Sequence, residues 1–95
     1  MSSKKDAKVI VLTNGINLIA EIEEVTTELG EPDCKLIEPH IIQEYKNGSP
    51  EAKFTFQPWL LNLTTQSDVM MSSDKILTIV DPMPKLLKAY EKLFD

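Results

Sequence analysis

Side chains that could perform chemistry are few in this sequence, which contains one histidine, His40, and one cysteine, Cys34. A zinc site needs further side chains of these types. His40 follows Pro39 in a strand-like stretch, so we expect a surface or edge residue rather than a catalytic base. Cys34 has no partner for an internal disulfide and is expected to be a buried, neutral thiol. We therefore predict no catalytic residue, no metal ligand and no cofactor, and a protein that is not an enzyme.

The carboxylates do not change this prediction. Glu21, Glu23 and Glu24 alternate with apolar residues, which is typical of a solvated strand face. Glu38 and Asp68 are isolated along the chain, with no spacing that indicates a metal site. Glycine-rich phosphate loops and nucleophile elbows are also missing from the sequence.

Aromatic residues offer a second kind of chemistry, because Trp59 and Tyr45 could stack on nucleic-acid bases. Trp59, however, stands next to two leucines, and we expect it to pack in a core or an interface. Met70 and Met71 are likewise expected to fill a core.

Overall composition limits the classes of function. Ninety-five residues predict one domain, and ten lysines without arginine, against fifteen acidic residues, give a net charge of -5. This balance disfavours tight, unspecific binding to DNA, which requires several cations on the phosphates. The start, MSSKKDAK, precedes no long apolar run, so we expect no signal peptide, no membrane anchor and a cytoplasmic protein.

The first element that must position these residues is a hairpin, VIVLTNGINLIAEIEEV (9–25). Asn14-Gly15 predicts a two-residue type I′ turn, because both residues tolerate positive φ. One face of this hairpin is then continuously apolar, and the other is apolar near the turn, so a helix or a neighbouring subunit should cover it. The register that follows pairs Thr13 with Ile16, Val11 with Leu18 and Val9 with Ala20.

Further strands are predicted along the chain after a polar loop at 26–33. The segment 34–46 reads as a strand bent at Pro39, and 53–65 reads as another, bent at Pro58. A loop at 47–52 separates them. A short segment at 69–71, a polar break and a strand from Ile76 to Val80 complete a bent, antiparallel, five-stranded sheet.

A change of period marks the C-terminal segment, where apolar residues recur at helical spacing with lysines on the other side. Asp81 is expected to cap this helix, and Pro82 suits its first turn. We predict a flexible N-terminus (1–7), a β-domain (8–82) and an amphipathic helix packed on the same domain (83–95). The apolar positions are Leu86, Leu87, Tyr90, Leu93 and Phe94.

Two stretches resemble the signatures of the Sm-like (LSm) family. TNGINLIAEIEEV is similar to the first signature, with Ala20 where the family prefers glycine, and MSSDKILTIVDP is similar to the second. The phrases KLIEPH, QPWL and KILTIVDP also resemble small Sm-like proteins of marine cyanophages. The resemblance spans Lys8 to Pro82 and implies a small open barrel. It also implies that copies join edge to edge in a homo-oligomeric ring, with the last strands of neighbouring subunits pairing across the contact.

The same resemblance implies binding of single-stranded RNA, or of DNA, near the pore of the ring. Family members contact bases, often uridine-rich, through the loop after the second strand and the loop before the last. In this chain the first loop's Asn position falls near Lys35, and an Arg-Gly pair is replaced by Ser72 and Ser73, followed by Asp74 and Lys75. Serine hydroxyls carry no charge, so weak binding is expected.

An alternative function is a phage accessory or assembly module that uses the ring as a platform for binding proteins. The acidic net charge and the lack of arginine favour this alternative. A phage-encoded protein of either kind would act in the cytoplasm of the host cell.

Overall fold

The computed structural model describes residues 6–45 and 53–94, which form an antiparallel sheet and a short C-terminal helix. The order in the sheet is β4-β3-β2-β1-β6, and β5 also pairs with β3. Within the described residues the sheet is not closed. The elements are β1 (Lys8–Leu12), β2 (Asn17–Glu24), β3 (Cys34–Tyr45), β4 (Lys53–Pro58), β5 (Asp68–Met71), β6 (Ile76–Val80) and α1 (Pro84–Glu91). The expected mainly-β fold with a C-terminal helix is thus confirmed, with six strand segments in place of five.

The β1–β2 hairpin differs from the prediction by one residue of register. Ile10 pairs with Leu18, whereas the type I′ turn would have paired Val11 with Leu18. The N–H of Gly15 donates to the Leu12 carbonyl oxygen at 2.9 Å, and Gly15 has φ of +89°. These features belong to a three-residue loop that ends on a left-handed glycine. The predicted register was therefore wrong, and each β1 side chain lies on the face opposite to the expected one.

The sheet has an apolar cluster on each face, because neighbouring side chains of a strand point to opposite sides. Leu18 and Ala20 of β2 belong to the first core, while Ile19 between them belongs to the second. The first core is completed by Ile10, Leu12, Cys34, Leu36, Val69 and Met71. The second core holds Ala7, Ile19 and the helix residues Leu86 and Tyr90. A helix therefore covers the second face of the hairpin, which was one of the two expected coverings.

The irregularity expected at Pro39 is present in β3. The residue before it, Glu38, has φ of +51°, and the pairing of β2 with β3 shifts register between Ile19 and Glu21. On one side of this point β3 pairs with β4, and on the other side it pairs with β5. Proline has no N–H to donate to a ladder, so a break in the pairing here is expected.

The strand predicted at 53–65 ends at Pro58, and the prediction was wrong for residues 59–65. Leu60 and Asn62 have φ of +65° and +69°, in the left-handed region, where two residues so close together cannot continue a regular strand. The N–H of Leu63 donates to the Leu60 carbonyl oxygen at 2.9 Å, which closes a turn. Trp59 is partly buried against the first core, as expected.

The helix α1 begins later than predicted. Its N-cap is Met83, without a side-chain hydrogen bond, and Pro84 occupies the first turn. Asp81, the expected cap, instead forms an ion pair with Lys8, so that prediction was wrong. A 3₁₀ turn (Lys92–Phe94) continues the helix.

Several predictions fall on residues that the structure does not describe. The loop at 47–52 and most of the N-terminal segment lie outside the described residues. Ala7, at the end of that segment, is buried in the second core. Met71 lies in the first core as expected, whereas Met70 is 46% exposed, which contradicts the expectation of core filler. In the part of the chain that is described, no helix is long and apolar enough to cross a membrane.

Candidate functional site

Two loops that are far apart in sequence meet at one carboxylate. Asp33, at the end of the β2–β3 loop (25–33), accepts the N–H of Ser73 at 2.7 Å and the Ser73 hydroxyl at 2.7 Å. Ser73 begins the 3₁₀ turn (Ser73–Lys75) between β5 and β6. Because each carboxylate oxygen takes one donor, the bridge fixes both the distance and the orientation of the two loops.

Other hydrogen bonds hold the 3₁₀ turn in place. Ser72 caps it by accepting the N–H of Asp74 at 3.3 Å, and the N–H of Lys75 donates to the Ser72 carbonyl oxygen at 3.2 Å. The Lys75 carbonyl oxygen in turn accepts the N–H of Thr13 at 2.9 Å. The turn is thereby attached to the hairpin loop on one side and to the β2–β3 loop on the other.

The electrostatics at this junction follow from the bridge. The hydrogen bonds from the Ser73 hydroxyl and then from its backbone N–H lower the pKa of Asp33. Burial, and then the charge of Asp33, raise the pKa of the adjacent Cys34 thiol. Cys34 is therefore a buried, neutral thiol at pH 7, as expected.

A cleft of about 410 Å³ lies between the two loops. Its lining includes four carboxylates, and it also includes Ser72. A negative lining repels phosphate groups, whereas carboxylate oxygens can accept hydrogen bonds from the amino groups of bases. The four acidic lining residues are Glu28, Glu31, Asp33 and Asp74.

The structure separates the candidate binding residues into two groups. Ser72, Ser73 and Asp74 lie at the junction of the loops. Lys35 is not among the lining residues of the cleft. It lies inside β3, opposite β5, and its ammonium group is 3.7 Å from a carboxylate oxygen of Asp68. Lys75 is exposed at the end of the turn.

Asp33 was missed by sequence reasoning, which treated it only as part of a polar loop. The signal that was available is its position directly before a strand and after Pro32, where Asp often bonds neighbouring backbone groups. Its partner Ser73, forty residues away, was not predictable from local pattern.

His40 is not a surface residue, and that expectation was wrong. Its side chain is buried, with ring centroids 5.7 Å from Tyr90 and 5.8 Å from Phe94. Nδ1 lies 2.9 Å from the Glu38 carbonyl oxygen, which also accepts the Tyr90 hydroxyl at 2.8 Å. Burial raises the pKa of Tyr90, so this phenol stays protonated and donates. His40 thus joins the helix to the left-handed backbone at Glu38.

In the described part of the chain, no group of three His, Cys, Asp or Glu side chains is placed to hold a metal ion. The four carboxylates of the cleft line its walls without converging.

Together these features define a class: a small, bent, antiparallel β-protein with a helix over one face, a cleft between two bridged loops and, among residues 6–45 and 53–94, two sheet edges without a strand partner. The chain belongs to the family of unknown function DUF6561, whose sequence profile matches residues 5–95. No curated protein matches the sequence.

Proposed function

We propose that this protein is an Sm-like subunit that assembles through its sheet edges into a homo-oligomeric ring and binds single-stranded nucleic acid, with a binding rather than a catalytic role. The observation that carries the proposal is the exposure of apolar side chains on the edge strand β6. This strand pairs only with β1 among the described residues, yet Leu77, Ile79 and Val80 are 68%, 44% and 49% exposed.

Apolar side chains extend from both faces of the β6 edge. Ile79 is opposite Ile10, which belongs to the first core, and Val80 is opposite Val9, which packs on the second. Exposure on both faces of one edge strand is what a neighbouring strand with its own side chains would cover. A β-bulge between Val11 and Leu12 leaves Leu77 as an additional residue without a partner in β1.

The second available edge belongs to β4 and β5. Both pair with β3 alone within the described residues, and Met70 of β5 is exposed. Pairing β6 of one copy with β5 of the next uses two different edges, so each added copy again presents both. Such heterologous contacts close into a ring when the rotation per copy permits it. The Sm-like resemblance implies this arrangement, and a strand order with the last strand beside the first supports it.

The proposed ligand of the ring is single-stranded RNA or DNA, held weakly at the junction of the two loops. Support comes from the bridge between Asp33 and Ser73, because it joins the two loops that the resemblance assigns to base binding. Hydroxyls and carboxylates there are suited to base edges. Among the described residues, the predicted binding set supplies positive charge only through Lys75 and Lys35, and the charge of Lys35 is partly balanced by Asp68.

The test is binding of fluorescein-labelled oligouridylate and oligoadenylate at low salt, followed by anisotropy. We expect Ser73→Ala to weaken binding, because it removes a hydroxyl and half of the bridge. Ser67→Ala is the matched control, since Ser67 is an exposed serine outside the cleft. An assembled protein that retains neither probe would overturn the nucleic-acid part of the proposal.

A second candidate function, the protein-binding platform, is favoured by the acidic lining of the cleft. A cleft with Glu28, Glu31, Asp33 and Asp74 suits a basic peptide better than a polyanion. Binding of a lysine-rich peptide by a ring that retains no oligonucleotide would decide for this candidate.

A further inference from the structure

The cations of this acidic protein are unevenly placed. Of the seven lysines in the described residues, Lys8 is paired with Asp81 and Lys35 with Asp68. The other five form no ion pair with any described carboxylate. Three of these five, Lys85, Lys88 and Lys92, belong to α1 and the 3₁₀ turn that continues it.

These three lysines form one stripe, here called the lysine face. Positions three and four residues apart are neighbours on a helix, and Lys92 has helical φ and ψ of -63° and -21°. At 1.5 Å of rise per residue the α-carbons are about 4.5 and about 6 Å apart along the axis. All three side chains are exposed, while Leu86 and Tyr90 turn the opposite side of the helix to the second core.

Local charge at the lysine face is opposite to that of the whole protein. Residues Pro84–Phe94 contain three lysines and one acid, Glu91, which gives 3 - 1 = +2. The remaining chain therefore carries -5 - 2 = -7. A phosphate backbone is consequently repelled by the acidic cleft and attracted by the lysine face.

We propose that the lysine face binds the phosphate backbone of single-stranded nucleic acid, and that the cleft between the loops contacts bases only. This inference rests on the proposed function and assigns the phosphate contacts to a surface outside the loops. In a closed ring, symmetry repeats the lysine face once per subunit, so that individually weak contacts act together on one strand.

An anionic membrane is a less suitable partner for this face. A helix that lies in a membrane surface inserts its apolar side among the acyl chains. In α1 that side is occupied, because Leu86 is buried and Tyr90 is fully buried against the sheet.

The experiment compares the salt dependence of oligouridylate binding in the full-length protein and in the triple variant Lys85→Gln, Lys88→Gln, Lys92→Gln. Single strands lose about 0.7 in the slope of log K against log salt for each phosphate contact. Loss of three contacts from one engaged subunit should therefore lower the slope by about 2, so that between 50 and 200 mM salt the wild type loses at least roughly 20-fold more affinity than the variant, and more if several subunits hold the strand. A probe with an uncharged methylphosphonate backbone should not distinguish the two proteins.

The charge-matched control is Lys4→Gln, Lys5→Gln, Lys53→Gln, which removes the same charge and leaves the sequence of α1 and its 3₁₀ turn unchanged. It should keep the wild-type slope. Equal slopes for wild type and the helix variant would overturn the inference while leaving the proposed function intact. Wild-type protein that binds phosphatidylserine vesicles through these lysines but no oligonucleotide would overturn both this inference and the nucleic-acid part of the proposed function.

Discussion

Two apolar regions of this molecule, the sheet face under α1 and the edge of β6, differ in solvent exposure. Ile19 at the centre of the first region is fully buried, whereas Ile79 in the second is 44% exposed. Both are isoleucines in strands of the same sheet, so the residue type does not explain the difference in exposure. What differs is the cover: α1 packs on one region, and no described element packs on the other.

The dimensions of α1 explain why one helix does not cover both regions. Eight residues at 1.5 Å per residue give a helix of about 12 Å, and strands are spaced about 4.8 Å apart. The helix follows β6 after a connection of three residues, Asp81 to Met83, and turns back over the hairpin and towards Phe54 and Phe56 of β4. The described elements therefore leave the β6 edge uncovered, and this exposure is the basis for proposing assembly.

The largest effect is expected from a charge on the uncovered edge. Leu77→Lys places an ammonium group where a neighbouring strand would pack, and should convert the assembly to monomers because a buried, unpaired charge costs several kcal/mol. The monomer should stay folded, since Leu77 is already 68% exposed. Size-exclusion chromatography with light scattering measures the change.

Leu29→Lys is the matched control for that edge variant. Leu29 is fully exposed on the β2–β3 loop rather than on a strand edge, so the control should keep the wild-type mass. A Leu77→Lys protein that also keeps that mass would show that β6 is not the contact.

The next effect concerns the covered face. Tyr90→Ala removes the fully buried ring from the second core and should lower the free energy of unfolding by about 3–5 kcal/mol. Urea unfolding at a fixed protein concentration measures it, because assembly makes stability depend on concentration. Lys88→Ala, on the exposed side of the same helix, should stay within about 0.5 kcal/mol of wild type. A loss of under about 1 kcal/mol for Tyr90→Ala would mean that α1 contributes little to the fold.

A smaller effect separates the hydroxyl of Tyr90 from its ring. Tyr90→Phe keeps the contacts with His40 and Phe94 but removes the hydrogen bond to the Glu38 carbonyl oxygen. The carbonyl keeps His40 as a donor, so we expect a loss of about 1 kcal/mol in the same urea experiment. If Tyr90→Phe lost as much free energy of unfolding as Tyr90→Ala, packing of the ring would not be the main contribution of Tyr90 to stability.

The smallest effect is a dependence on pH at the loop bridge. Hydrogen bonds from Ser73 lower the pKa of Asp33 in the folded state below its ordinary value of 3.8. A lowered pKa stabilises the fold above the unfolded pKa, and this contribution is lost as pH falls through the folded pKa. The difference in stability between wild type and Ser73→Ala should therefore be present at neutral pH and shrink below about pH 4. A difference that does not change with pH would show that the Asp33 carboxylate is not the partner that matters.

Local pattern was sufficient for some elements and insufficient for others. The strand from Ile76 to Val80 was predicted with its observed ends, because a polar break and Pro82 bound an apolar run. The helix was predicted from its period, but its start was placed too early. Asp81, the predicted cap, forms an ion pair with Lys8 near the other end of the chain, and Met83 is the N-cap. The hairpin register was missed because Asn14-Gly15 suits both two- and three-residue loops, and one residue reverses the faces.

The missed features depend on contacts between distant segments. His40 is buried by a helix that begins more than forty residues later, and neither Pro39 nor the strand around it carries that information. Leu60 adopts a left-handed conformation next to Trp59, whose N–H donates to the Pro39 carbonyl oxygen. The bridge from Asp33 to Ser73 likewise joins residues that are forty positions apart. For the candidate site, the prediction of Ser72, Ser73 and Asp74 came from the resemblance, while the acidic residues of the β2–β3 loop that share the cleft with Asp74 became visible only in three dimensions.

The most direct test of assembly is the mass of the wild-type protein in solution, measured by light scattering over a range of concentrations. The proposed edge pairing predicts one constant mass, a whole-number multiple of the single chain, because a closed ring leaves no edge for further growth. A mass equal to one 95-residue chain at every concentration would contradict the ring and the functions proposed for it.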